Sequence, residues 1–213
     1  MNELKFIDSR FYSILVFISN IFLLNVLWLL FCLPILTLFP ATAAMFGVVR
    51  QWIIHKDSSV FPTFIRCFKE NFKQSFIIQF IWLFLAAFLF LDYTISLKLG
   101  FLKAFISPIL IFLGFFFMMG STFLFPSIVQ FKTSIRNIVK NMVFLSIVYF
   151  PFSLLICIVI LLIALVLYIF PLSMLFIGSL GAYIVYWLSQ IVFTKVSKRL
   201  DSHLEVKQNE VIE

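Results

Sequence analysis

Four stretches of this chain carry no Asp, Glu, Lys, Arg or His: residues 11–49, 74–91, 104–131 and 141–194. Stretches of that length constrain the fold more than any motif does. A bilayer core takes about 20 apolar residues per helix, and a charge at its centre costs about 2.5–3.5 kcal/mol on insertion scales. Composition agrees, with 63% hydrophobic and 12% charged residues in 213, against roughly 45–50% and 25% in soluble domains. The expected fold class is all-α: a multi-pass transmembrane helical bundle forming a single domain over residues 1–213.

The charge-free stretches divide into about five spans, at 12–33, 75–95, 104–124, 142–163 and 171–194. Pro34 and Pro40 are expected to break the chain after the first, because each lacks a backbone donor and crowds the preceding turn. Pro171 marks the hairpin between the last two. A polar tail follows at 200–213. The sequence "ATAA" at 41–44 looks like a cleavage site, but the apolar run from Phe11 to Phe39 outlasts the roughly 7–15 residues of a signal-peptide core. No cleavage is expected.

Lys and Arg accumulate in cytoplasmic loops. Arg50, Lys56, Arg66, Lys69 and Lys73 fall in one loop, Lys132, Arg136 and Lys140 in another, and Lys195, Lys198, Arg199 and Lys207 at the end. Five spans with the N-terminus outside and the C-terminus cytoplasmic place all of these inside. A rival is a sixth crossing through 34–49, which also brings Lys5 and Arg10 inside; sixteen residues with two prolines rank it second. The expected location is a cell membrane.

Between the first spans lies "FPTFIRCFKENFKQSF" (61–76). Projected at about 100° per residue, Phe61, Phe64, Ile65, Phe68, Phe72 and Phe76 share an arc of about 120°, opposite Arg66, Lys69, Glu70 and Lys73. The direct reading is an amphipathic helix over 61–74 with its Phe residues at the headgroup boundary and its basic residues toward the anionic inner leaflet. Docking into a partner's groove is the alternative. Nucleic acid is not an expected partner, because the Phe stripe would then face water. A second basic stretch, 130–141, sets Phe131, Ile135, Ile138 and Met142 on one arc and Lys132, Arg136 and Lys140 on the other. "LFP" occurs before both stretches, at 38–40 and 124–126, a hint of internal duplication that shared interfacial physics also explains.

The segments "SNIFLLNVLWLLFCLPILTLFPATAAMFGVVRQWI" (19–53), "FPTFIRCFKENFKQS" (61–75) and "FPSIVQFKTSIRNIVKN" (125–141) resemble the YesL-like bacterial membrane proteins, a domain of unknown function. The matching positions include Asn20, Asn25, Trp28, Pro34, Pro40, Arg50, Phe64, Phe68, Lys69, Asn71, Phe72 and Lys73. The resemblance implies a multi-pass protein of the bacterial cell membrane, often encoded beside carbohydrate-uptake genes, and supplies no catalytic residues. Together with Lys132, Arg136 and Lys140, these family-motif positions from Asn25 onward are the candidate functional residues.

No enzyme is expected. Cys32, Cys67 and Cys157 lack metal or redox spacing, and His55 and His203 have no second ligand nearby in sequence. The hydrolase motifs H-E-x-x-H and G-x-S-x-G are absent. No cofactor or metal is expected. A coupled carrier would hold ionisable groups inside the bundle, and Asp92, near the end of its span, is the one candidate. Asn20, Asn25, Gln79, Thr122, Asn141 and Gln190 either line a path for a neutral solute or bond neighbouring helices. Asn20 and Asn25 lie about 140° apart around a helix, too far for one narrow face. Gly178 and Ala182 form a small-residue step for close packing.

Two readings follow. One is a non-catalytic accessory or regulatory component linked to carbohydrate uptake, touching sugar-transport subunits and anionic lipid. The other is a small facilitator of neutral solutes, built as a homo-oligomer.

Overall fold

The computed structural model describes residues 2–56, 59–98, 102–131 and 133–212, with side chains within 11–199. It is all-α, with no strand among the described residues. Helix α1 spans Asn2–Cys32, α2 Leu38–His55, α3 Phe61–Ser96 and α4 Lys103–Thr122. Then come α5 at Leu124–Gln130, α6 at Ile135–Val148, α7 at Phe150–Ile169 and α8 at Ile177–Ile212. Short 3-10 turns occupy Ile35–Thr37 and Pro171–Leu175.

Among the described residues, six segments are long and apolar enough to cross a membrane: Phe11–Cys32, Ile35–His55, Phe61–Ser96, Lys103–Gln130, Phe150–Ile169 and Ile177–Arg199. The second is the stretch that two prolines argued against. Its break is confined to residues 33–37, and Pro40 is the third residue of α2. A proline in the first turn forfeits a donor that has no intrahelical partner anyway, so it starts a helix there. Pro62, Pro126 and Pro151 occupy equivalent places in α3, α5 and α7. The break at Tyr149 also moves the fourth expected crossing from 142–163 to Phe150–Ile169.

α2 is the axis of the bundle. Every residue from Pro40 to Val49 is buried, against α1, α3, α5 and α8. Such a helix needs no lipid-facing side, which suits the small residues of "ATAAMFG". Its partners run in definite directions. Trp28 Nε1 donates to Thr42 Oγ1 at 3.1 Å and Phe17 packs edge-on against Trp52, so α1 and α2 are antiparallel. Phe17 also meets Tyr183, and Ser179 Oγ donates to the Ile21 carbonyl at 2.8 Å. α1 and α8 are therefore antiparallel, and the Phe11 end of α1 lies at the same end of the bundle as the Arg199 end of α8. An odd number of crossings would set those ends apart.

The basic stretch 61–74 is not a separate element. α3 runs unbroken for 36 residues, about 54 Å at 1.5 Å per residue, with no Gly or Pro after Pro62. The stretch therefore continues the axis of the crossing rather than lying across it. Its Phe stripe forms a ladder in which Phe64, Phe68, Phe72, Phe76 and Phe80 contact one another in turn. Phe31 of α1 inserts against Phe64 and Phe68, at 5.2 and 4.9 Å between ring centroids. Phe64 is fully buried while Arg66, Lys69, Glu70 and Lys73 are exposed. Phe64 and Phe68 of the oily stripe thus dock on the chain's own first helix, while Phe61 and Phe72 are exposed. The second basic stretch is likewise shifted: α5 ends at Gln130, Phe131 is extended, and the helix resumes at Ile135. The two "LFP" tripeptides each open a helix and meet through Phe39 and Phe125, with ring centroids 5.1 Å apart.

Candidate functional site

Backbone inside a bilayer has no water to bond, so each helix break needs a side chain to complete it. Two buried amides do this. Asn25 accepts the Ser179 N–H at 3.0 Å and donates to the Met174 carbonyl, closing the 170–176 turn from α1. Gln79 bonds Ile35 and Phe39 across the 33–37 break. Thr122 donates to the Met119 carbonyl, and Gln190 accepts from Tyr186 at 3.2 Å. The in-span polar residues named as path-lining candidates are thus taken up by helix ends and neighbours where their bonds are seen. Asp92 is half-buried near the Ser96 end of α3. Gly178 sits where a Cβ would fall 2.6 Å from Asn25 Oδ1, so α8 meets α1 closely there, as the small-residue step predicts.

The polar site is elsewhere, in a cleft of about 400 Å³ between α2 and the first half of α3. Gly47, Arg50, Gln51 and His55 line it from α2, at helical spacing on one face. Arg66, Cys67, Glu70 and Asn71 line it from α3, again on one face, and Val129 of α5 closes a side. The two helices come together at Gly47, where a Cβ would stand 2.7 Å from Cys67 Sγ and 2.8 Å from Cys67 Cβ. Only glycine allows that approach, and the cleft opens away from it.

Arg50 is the best-anchored member. Its Nε donates to Gln130 Oε1 at 3.1 Å, and the same oxygen accepts the Tyr186 hydroxyl at 2.9 Å. Tyr186 is fully buried, so the guanidinium is oriented from behind by α5 and α8. Asn71 Nδ2 donates to the Cys67 carbonyl at 2.9 Å, a bond within the turn that leaves its oxygen able to accept. Two guanidiniums, one carboxylate, one imidazole and two amides make the cleft rich in donors.

Of the candidate residues, Arg50 and Asn71 enter this cleft. Asn25, Trp28 and Pro40 hold α1, α2 and α8 together instead, and Pro34 precedes the first 3-10 turn. Phe64, Phe68 and Phe72 belong to the aromatic ladder. Lys69, Lys73, Arg136 and Lys140 are exposed, and Lys132 lies outside the described residues. Sequence reasoning passed over Gln51, His55, Arg66, Cys67 and Glu70 as a group. The signal was available as polar positions 47, 50, 51 and 55 on one helix and 66, 67, 70 and 71 on the next. No cluster of metal-ligating residues occurs among the described residues.

Residues 21–93 match a family described as "Protein of unknown function, DUF624". Two relatives from Bacillus subtilis (strain 168) extend the similarity. The uncharacterised protein YesL is 34% identical over 127 residues, covering 58% of this chain and 60% of YesL. The uncharacterised protein YteU is 31% identical over 134 residues, covering 61% of this chain and 60% of YteU. The chain is thus similar to the YesL-like DUF624 proteins. It spans about 60% of the length of these curated relatives. No solved structure matches it. The DUF624 match contains α2, the C-terminal part of α1 from residue 21 onward and nearly all of α3, and so contains every described cleft residue except Val129.

Proposed function

We propose that this DUF624-like protein is a non-catalytic accessory or regulatory component of the bacterial cell membrane, linked to carbohydrate uptake. The observation that carries the reading is the engagement of Asn25 and Gln79. A facilitator of neutral solutes needs in-membrane polar groups free to bind and release its cargo, and these two fully buried amides are instead committed to backbone groups at helix breaks. The link to carbohydrate uptake draws its support from the gene neighbourhood that the family resemblance implies.

In this reading all six segments cross, and both termini are cytoplasmic. The antiparallel pairing of α1 with α8 supports an even number of crossings. The positive-inside rule supports the side, since it gathers Lys5 and Arg10 with the other loop cations. Lys69, Lys73, Arg136 and Lys140 then lie at the inner leaflet, where each basic residue gains about 1 kcal/mol from anionic lipid. The same exposed face is where transport-complex subunits would be met.

The test is affinity purification in mild detergent from cells grown on a glycan as carbon source. Recovery of transporter subunits in stoichiometric amount supports the reading. Recovery of the chain alone, together with sugar flux in proteoliposomes, sinks it in favour of a facilitator.

A further inference from the structure

We infer that the cleft between α2 and α3 binds a phosphate-bearing small molecule, with Arg50 and Arg66 gripping the phosphate from opposite walls. The two guanidiniums line one cavity although they come from different helices. Like charges gathered in one place repel unless an anion joins them, and among the described lining residues Glu70 is the one carboxylate to set against both. Arg suits phosphate because its planar fork matches two oxygens at once.

Arg50 also meets the requirement that a binding group be oriented before its ligand arrives. Its side chain has five N–H donors, and Gln130, itself bonded by Tyr186, takes the one on Nε. Around the arginines stand the groups that recognise hydroxyls: the Gln51 and Asn71 amides and the Glu70 carboxylate. The cavity, about 400 Å³, falls within the roughly 300–1,000 Å³ of small-molecule sites. A phosphate monoester of a polyol satisfies both halves of this lining. The phosphate can belong to a soluble ester or to a lipid headgroup, and the two sources are separable by experiment.

The full chain is reconstituted in nanodiscs of phosphatidylcholine alone and titrated calorimetrically with inorganic phosphate, glucose 6-phosphate and glucose. A second set of discs adds phosphatidic acid, with thermal unfolding followed by tryptophan fluorescence. Saturable binding of glucose 6-phosphate, none of glucose, and weakening by about tenfold or more in R50Q and R66Q is the expected result, because a charge-assisted bond is lost. R136Q, on α6 and outside the cleft, binds as the wild type does. Arg66 is exposed, so R66Q keeps the test alive should R50Q fail to fold. Stabilisation by phosphatidic acid that R66Q abolishes, without a response to soluble phosphates, assigns the phosphate to a lipid at the same site. Binding unaffected by R66Q, or no response to either source, overturns the inference.

Discussion

The side chain of Gln79 bonds to the Phe39 backbone: its carbonyl oxygen accepts the Phe39 N–H at 3.0 Å. The same amide donates to the Ile35 carbonyl, also at 3.0 Å. Phe39 belongs to the first turn of α2, where N–H groups have no partner inside the helix. A residue forty positions along the chain thus completes the break between α1 and α2, and lets the second crossing begin at Leu38.

Gln79→Leu leaves those two backbone groups, each in a part-buried bond, unpaired. Each orphaned group costs about 1–3 kcal/mol, so the variant unfolds at a clearly lower temperature in detergent. An unchanged melting temperature, read by tryptophan fluorescence, counts against the clamp.

Asn25→Leu acts at the other break, by freeing the Ser179 N–H and the Met174 carbonyl. The two amides share no bonding partner, so the losses in Q79L and N25L should add in the double variant to within about 0.5 kcal/mol. Strong coupling would mean that the breaks rearrange together.

Gly47→Ala drives a methyl group to 2.7 Å from Cys67 Sγ and 2.8 Å from its Cβ. Overpacking of this kind costs about 1–3 kcal/mol. Adding Cys67→Ala removes the sulfur but keeps the Cβ, so it restores only part of the lost stability; full restoration by C67A, measured as melting temperature, would place the contact elsewhere.

The proposed six-crossing arrangement, with the antiparallel α1 and α8, makes a prediction about sidedness. In a cysteine-free background, single cysteines at Lys69 and Lys140 and an N-terminal tag should all be reached from the cytoplasm. A cysteine at Lys98 should be reached from outside. An N-terminal tag accessible on intact cells would defeat the six-crossing arrangement.

The crossings were legible because lipid permits so few solutions. A long run without charge has to become a helix, and the basic residues have to lie outside it. The proline at position 40 misled, because a proline that breaks a helix interior and one that opens a first turn look alike until the helix start is known. Asn25 and Gln79 were recognised as in-span polar groups that either line a path or bond neighbouring helices, yet which of the two was not legible. Whether an amide lines a path or mends a backbone depends on which carbonyl stands within about 3 Å, and those carbonyls lie far away along the chain. The cleft escaped for the same reason, since its two polar stripes look like ordinary solvated faces when each helix is considered alone.

Hydropathy, a local property of the chain, was enough to establish an all-α bundle of long apolar helices. Tertiary packing alone decided that α2 is the buried axis, that Phe64 packs into the core, and that Arg50 and Arg66 share one cavity. Each of those depends on how close two helices can come, and at Gly47 and Cys67 that distance is set by atoms from two different turns of the chain.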